Sequence, residues 1–121
     1  MRATPLLAVL LAACTTPDTL VMNESRAAEE YAIAPYEFHE ECATMAPGDR
    51  IDYRFDAQAP VDFQVFYQEG AAYISTVNRE GVREAAGVFT APATRRYCVR
   101  WDAGAQGALV DYKLRLLPPR R

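Results

Sequence analysis

The sequence predicts an all-β fold: a small antiparallel β-sandwich of about six to eight strands with one disulfide. Three observations support this prediction. Apolar and polar residues alternate with a period of two along most of the chain beyond residue 36. Turn-forming residues interrupt the alternation at intervals of roughly ten residues, as they do in sandwiches and barrels. Helical periodicity is absent from this part of the chain.

The N-terminal segment carries one positive charge, Arg2, followed by an apolar stretch from Leu6 to Ala13. The stretch is about half the ~20 residues that a membrane-spanning helix needs, and it ends in small residues typical of a cleavage site. Its end, Leu11-Ala12-Ala13-Cys14, resembles the lipobox of bacterial lipoproteins. The resemblance implies that residues 1–13 are a signal peptide and that Cys14 is lipidated. A buried N-terminal helix, or a signal cleaved elsewhere, is the alternative.

In lipoproteins of this kind the residue after the cysteine influences sorting. Thr15 is not the aspartate associated with inner-membrane retention, so the resemblance implies an outer-membrane anchor with the chain facing the periplasm. Residues 14–35 are polar and poor in large apolar groups, which predicts a lipidated N-terminus and a flexible tether, with one or two helical turns around Glu24 to Tyr31. A flexible coil of about 20 residues would hold a domain ~25 Å from the membrane.

The folded domain is predicted over residues 36–117, followed by a basic tail at 118–121. Ile51–Asp56 alternates apolar and charged residues without a fault, and Ala59-Pro60 after it is typical of a turn. Val61–Gln68 is a second strand, with Phe66 on its otherwise polar side. Asn78–Glu84 is expected as an exposed polar loop. Further strands are expected at 36–42, 72–77, 88–90, 96–101 and 110–116.

Three cysteines are present, and lipidation of Cys14 leaves Cys42 and Cys98 as a pair. In an exported protein this parity predicts a disulfide, which would contribute about 4 kcal/mol to a small domain. Redox or metal chemistry is the alternative. The two cysteines form no Cys-x-x-Cys motif, and His39 is the only histidine in the chain, so a structural bridge is the preferred interpretation.

Several motifs follow one another along the chain: Cys42, Pro47-Gly48-Asp49, Ile51 to Phe55, Pro60 to Val65, Phe89-Thr90-Ala91-Pro92 and Arg96 to Asp102. The frame resembles GOLD domains, the β-sandwich modules of the p24 cargo-receptor family and of some lipid-transfer proteins, over about Tyr36 to Leu117. The coiled coil and transmembrane helix of p24 proteins do not follow it, and the bacterial pre-peptidase C-terminal domain has a similar pattern. The resemblance implies a binding module without catalysis.

Charge and composition exclude nucleic acid as a partner. The formal net charge is -3, the only lysine is Lys113 and the arginines are dispersed, whereas phosphate binding needs clustered cations. Arg120-Arg121 at the end of the chain supplies only about 1 kcal/mol per charge toward anionic lipid, so a solvated tail is expected.

Potential chemistry is concentrated in His39-Glu40-Glu41, close to Glu37. At strand spacing His39 shares a face with Glu37 and Glu41, which gives at most three ligands and no partner elsewhere. A solvated acidic edge is therefore predicted. Because the sequence contains no nucleophile, phosphate-loop or calcium-loop motif, we expect no enzyme activity, metal or cofactor.

Three classes of function follow, in order of preference. The preferred one is a binding or scaffolding module, anchored to the membrane by lipid, that engages an unknown envelope protein or a small ligand. Its candidate interaction surface comprises Phe66, Tyr73, Arg79 and Arg83. The alternative is a periplasmic inhibitor of a hydrolase, because small lysozyme-inhibitor lipoproteins also combine a lipobox with a disulfide; their inhibitory loop motif is not visible. An enzyme acting through His39 is the third class.

Overall fold

The computed structural model describes residues 19–120. Regular structure in this range consists of β-strands, and the all-β prediction is confirmed. No helix in residues 19–120 is long and apolar enough to cross a membrane. The strands are β1 (Ser25–Ile33), β2 (Phe38–Met45), β3 (Arg50–Glu69), β4 (Ala72–Thr90), β5 (Arg95–Ala103) and β6 (Ala108–Leu117).

The six strands form one antiparallel sheet in the order β1-β6-β3-β5-β2, with β4 also paired to β3. The first part of β3, Arg50–Ala57, pairs with β6. The second part, Val61–Tyr67, pairs with β5. The sheet therefore curls where β3 changes partner, and its two halves face each other as the layers of a sandwich.

The turn predicted at Ala59-Pro60 is wrong, because these residues lie inside the continuous strand β3. The register between β3 and β4 shifts between Asp56 and Val61, which marks a bulge. Proline is tolerated at a bulge because its missing N–H interrupts no ladder there. The Ala59-Pro60 pair, which is typical of a turn, therefore marks a bend within one continuous strand.

The loop predicted at Asn78–Glu84 is also wrong, since this segment lies within β4. β4 forms a long hairpin with β3 and follows its bend. A second register shift occurs between the pairs Val61–Val82 and Phe63–Arg79. Gly81 adopts a φ of 61° there, in the left-handed region that glycine enters without steric cost. In this segment the polar residues around Gly81 therefore belong to a bulged strand that pairs on one side only.

The described part of the predicted tether is folded. Ser25–Ile33 forms β1 on the edge of β6, where a flexible segment with one or two helical turns was expected. Leu20 is buried, and its N–H donates to the Cys42 carbonyl at 2.8 Å. A bulge between Ala28 and Tyr31, with Glu30 at φ 49°, breaks the period of two and hides the strand in the sequence. Cys14 and the predicted signal peptide lie outside the described residues.

The core is an aromatic cluster between the two halves of the sheet. Phe55 and Phe63 lie 4.8 Å apart between ring centroids, and Phe63 contacts Trp101 at 5.7 Å. Trp101 in turn contacts Tyr112 of β6 at 4.7 Å. As predicted, the apolar positions of the alternating strands point inward, Ile51 and Phe55 among them.

Gly87 packs against the ring of Tyr53 and leaves no room there for a side chain. A Cβ there would lie 2.6 Å from the hydroxyl of the buried Tyr53. We expect Gly87→Ala to lower the free energy of unfolding by about 1–3 kcal/mol, because overpacking forces a displaced rotamer or backbone shift. Urea unfolding monitors the change, with Gly104→Ala as control because a Cβ on Gly104 would meet nothing within 4 Å. Equal midpoints for the two variants would contradict the expectation.

Candidate functional site

The predicted disulfide is confirmed. Cys42 of β2 stands directly opposite Cys98 of β5, and the two sulfurs are bonded. Their neighbours in sequence, such as Ala43 and Val99, point into the core, so the bridge lies on the outer surface of the sheet. Both cysteines are nevertheless buried, because Phe66 packs against them. The bridge thus belongs to a small second cluster outside the main core.

Phe66 and Tyr73, two members of the predicted interaction surface, lie together above this bridge. Their ring centroids are 5.5 Å apart. Phe66 is only 5% exposed, whereas Tyr73 is 66% exposed. The ring of Tyr73 is therefore open to solvent on one side, and the buried Phe66 packs against it.

A concave site of about 410 Å³ opens beside these two rings, and we call it the outer-face pocket. Phe66 and the disulfide form its floor. Exposed aromatic side chains form its walls: Tyr73 and Phe38, which is 48% exposed. The remaining lining residues are Glu40, Gln68, Gly70, Arg96 and Arg100.

Arg100 is held in place by its neighbours. Its guanidinium carbon lies 3.7 Å from the centroid of the Phe38 ring, an arrangement that favours a cation–π contact. The same group donates to Asp102 from Nε at 3.1 Å and from Nη2 at 3.0 Å. Glu40 lies 3.8 Å from it. The charge of Arg100 is therefore balanced inside the protein.

Arg96 differs from the neighbouring arginines. Arg95 stacks over the ring of Tyr67 at 4.3 Å and pairs with Glu69 at 3.5 Å. Among the ion pairs within residues 19–120, none involves Arg96, whose side chain is exposed at the pocket. The outer-face pocket thus holds one cation without a carboxylate beside it.

Arg79 and Arg83 are not brought to this pocket. At ~3.3 Å per residue they lie roughly 20 and 33 Å beyond Tyr73 along β4. The guanidinium of Arg83 donates to the Gln58 carbonyl at 3.2 Å. Of the predicted surface, the structure therefore unites only Phe66 and Tyr73.

Sequence reasoning missed several residues of the pocket, among them Phe38, Arg96 and Arg100. The signal for them was present, because strand alternation places all three on the same face as the cysteine of their own strand. If Cys42 and Cys98 are taken as directly opposite each other on adjacent strands, these three side chains become neighbours on the outer face of the sheet.

A second group of polar side chains, which we call the seam cluster, fastens the two halves of the sheet together. It comprises Arg26 of β1, His39 and Glu41 of β2, and Tyr112 of β6. Glu41 is only 8% exposed, so the prediction of a solvated acidic edge is wrong for this residue. The reason is that β1 and β6 cover this side of β2 and bring hydrogen-bond donors to the carboxylate.

Each oxygen of Glu41 has a partner. Oε2 accepts from Nη1 of Arg26 at 2.5 Å. Oε1 accepts from the hydroxyl of Tyr112 at 3.2 Å and lies 3.1 Å from Nε2 of His39. The ring of Tyr31 packs against the His39 ring, with centroids 4.1 Å apart and planes tilted by 35°. His39 and Glu41 are thus occupied within the protein.

The charge state of the cluster follows from these contacts. Burial by itself would raise the pKa of Glu41, but the hydrogen bonds from His39 and Arg26 outweigh burial and hold this pKa below its ordinary value of 4.5. Burial, and then the Glu41 carboxylate, raise the pKa of Tyr112 above its ordinary value. Tyr112 therefore stays protonated and donates to a charged Glu41.

One group of potential metal ligands occurs within the described range: Glu40, Cys42 and Cys98. Its two sulfurs are bonded to each other, and metal binding by cysteine needs the thiolate. The oxidised protein therefore offers only the Glu40 carboxylate at this position.

No protein-family model and no curated protein sequence matches this chain. Among solved structures it is similar to PliG of Aeromonas hydrophila, a periplasmic inhibitor of g-type lysozyme, with 13% identity and a TM-score of 0.59 over 78% of this chain and 87% of that one. A de novo designed double-stranded β-helix is 15% identical, with a TM-score of 0.41 over 77% of this chain and 97% of the design. At this identity the likeness to PliG concerns the fold alone.

Proposed function

We propose that this chain is a protein-binding module of the cell envelope without catalytic activity, and that its partner is a hydrolase of the lysozyme type. The outer-face pocket, an exposed aromatic site on a sheet fastened by a disulfide, is the observation that carries the proposal. The fold likeness to a periplasmic lysozyme inhibitor supports the choice of partner.

The pocket has the composition of a protein-binding site. Interfaces are enriched in aromatic residues and arginine, and most of the binding energy comes from a few such residues in desolvated pockets. Tyr73 and Phe38 expose their rings at the pocket, and Arg96 and Arg100 lie on either side of Cys98 along β5. Because the floor is cross-linked, little conformational freedom would be lost on binding.

The proposed location rests on the disulfide. Bridges of this kind persist in oxidising compartments such as the bacterial periplasm. Lipidation of Cys14 and an anchor in the outer membrane remain predictions, because residues 1–18 lie outside the described range. The intact mass of the native protein tests them, since acyl chains at Cys14 would raise it.

The absence of catalysis is proposed from the seam cluster. His39 and Glu41 are the residues that an acid–base mechanism would need, and both are engaged in contacts that join the two halves of the sheet. A buried carboxylate that accepts from three donors is a poor proton acceptor.

An inhibition assay tests the proposed function. Residues 14–121 with Cys14→Ser, in the oxidised form, are expected to slow the lysis of peptidoglycan by g-type lysozyme when added in equimolar amount. Combined Tyr73→Ala and Phe38→Ala should weaken binding about 30-fold, the effect of losing hot-spot rings. Val88→Ala is the control, because Val88 is also an exposed apolar residue, 47% exposed, and does not line the pocket. Undiminished lysis at excess protein would contradict the choice of partner.

A further inference from the structure

Arg96 sets the charge of the outer-face pocket. The other guanidinium in the lining belongs to Arg100, which Asp102 and Glu40 already balance. Glu40 stands opposite Arg100 in the strand register, whereas Thr44 stands opposite Arg96. The neighbour across the strand pair is therefore neutral, and the Arg96 side chain, which carries five N–H donors, is exposed.

The exposed rings of Phe38 and Tyr73 give the pocket a site for an apolar group beside the charge of Arg96. Phe38 is covered on one side by the guanidinium of Arg100, and Tyr73 lies against Phe66. Each ring is thus fixed by a neighbour yet remains about half or more exposed. Burying such rings against an apolar side chain removes apolar surface from water, which is favourable.

We propose that the outer-face pocket binds a carboxylate-bearing segment of a protein partner, with the carboxylate on the Arg96 guanidinium and a neighbouring apolar side chain between Phe38 and Tyr73. Arginine matches a carboxylate through two parallel hydrogen bonds, which gives both strength and orientation. The inference rests on the proposed function and adds which group of the partner is bound. A partner of the lysozyme type has such a group, because most glycoside hydrolases carry a pair of carboxylates at the catalytic site.

A titration followed by NMR tests the ligand class directly. The probes are two blocked dipeptides, N-acetyl-Phe-Asp-amide and N-acetyl-Phe-Asn-amide, which have nearly the same shape and differ in charge. We expect the aspartate probe to shift the Nε–H signal of Arg96 and the backbone amides of Cys98 and Tyr73, and to bind about tenfold more tightly than the asparagine probe. Equal effects of the two probes, or no shift at these positions, would overturn the inference.

Two variants make the test specific. Arg96→Gln is expected to remove the preference for the aspartate probe, whereas Arg95→Gln should keep it, because Arg95 already pairs with Glu69. Near-UV circular dichroism confirms that each variant is folded. A preference that persists in Arg96→Gln would also overturn the inference.

The lysozyme assay separates the two proposals. If the wild-type chain inhibits g-type lysozyme and Arg96→Gln inhibits equally well, the role of Arg96 is wrong and the proposed function stands. If the aspartate probe binds through Arg96 but no lysozyme is inhibited, the ligand class stands and the proposed partner is wrong. With both proposals correct, Arg96→Gln weakens inhibition about tenfold or more.

Discussion

Replacing both bridging cysteines, Cys42→Ser with Cys98→Ser, is expected to cost about 4 kcal/mol in the free energy of unfolding. The residues are 56 positions apart, so the bridge removes a large loop-closure entropy from the unfolded chain. A domain of this size has a total stability of roughly 5–15 kcal/mol, so the loss is a large share of it. Urea unfolding measures the change, and thermal unfolding should show a midpoint lower by roughly 15–30 °C.

Thr44→Ala is the matched control for this loss. Thr44 is the next residue of β2 on the same outer face, and it is exposed, so its truncation should change stability by less than about 0.5 kcal/mol. The double serine variant should also bind partners poorly, because the floor of the outer-face pocket is lost. A double variant within about 1 kcal/mol of the wild type would show that the bridge does not fasten β2.

Removing the carboxylate of the seam cluster is expected to have the second-largest effect. Glu41→Ala should lower the free energy of unfolding by about 3 kcal/mol, the lower part of the range for breaking a buried ion pair. The lower part applies because the side chain of Arg26 is 23% exposed and is therefore partly hydrated without its partner. His39 and Tyr112 lose their acceptor as well. Chemical denaturation at neutral pH measures the loss.

Glu41→Gln tests whether the charge of Glu41 makes the free energy of unfolding depend on pH. Because the folded pKa of Glu41 is below the ordinary 4.5, its charge stabilises the fold fully above pH 4.5, and this contribution is lost as the pH falls through the folded pKa. The glutamine variant lacks the contribution at every pH. Its stability should therefore fall less steeply than that of the wild type in acid.

Glu40→Gln is the control for that comparison, because Glu40 is the neighbouring glutamate of the same strand but lies on the outer face, with its side chain 34% exposed. We expect this variant to follow the wild-type dependence on pH. Parallel curves for Glu41→Gln and the wild type would mean that Glu41 does not couple protonation to folding.

The strands that face the core could be predicted from sequence because each has one side in the core and the other in water. Ile51–Asp56 and the alternating strand ending at Leu116 show this pattern, and both are confirmed. The pairing of Cys42 with Cys98 could also be predicted, because the expected lipidation of Cys14 left only these two cysteines to pair.

Bulges explain most of what the sequence concealed. At Glu30 and Gly81 the chain continues as strand while the alternation changes phase, and at Pro60 β3 continues through a residue pair typical of a turn. The local patterns therefore indicate a tether, a loop and a turn. The correct assignment depends on pairing with β6 or β3, which are distant in sequence.

The two sites differ in how far they could be predicted. Phe66 was visible as an aromatic residue on a polar face, which located the outer-face pocket. The seam cluster was not visible, because Arg26 and Glu41 become partners only when β1 and β2 face each other across the curled sheet. Their sequence contexts are typical of solvated charges, and burial by neighbouring strands reverses that expectation.

Hydrogen–deuterium exchange of the oxidised chain, with and without g-type lysozyme, tests most directly whether the outer-face pocket is a protein-binding site. We expect the lysozyme to slow exchange in Arg95–Ala103 and at the start of β4 around Tyr73, with little change in β1 and β6. Unchanged exchange throughout, or protection confined to β1 and β6, would contradict the proposal.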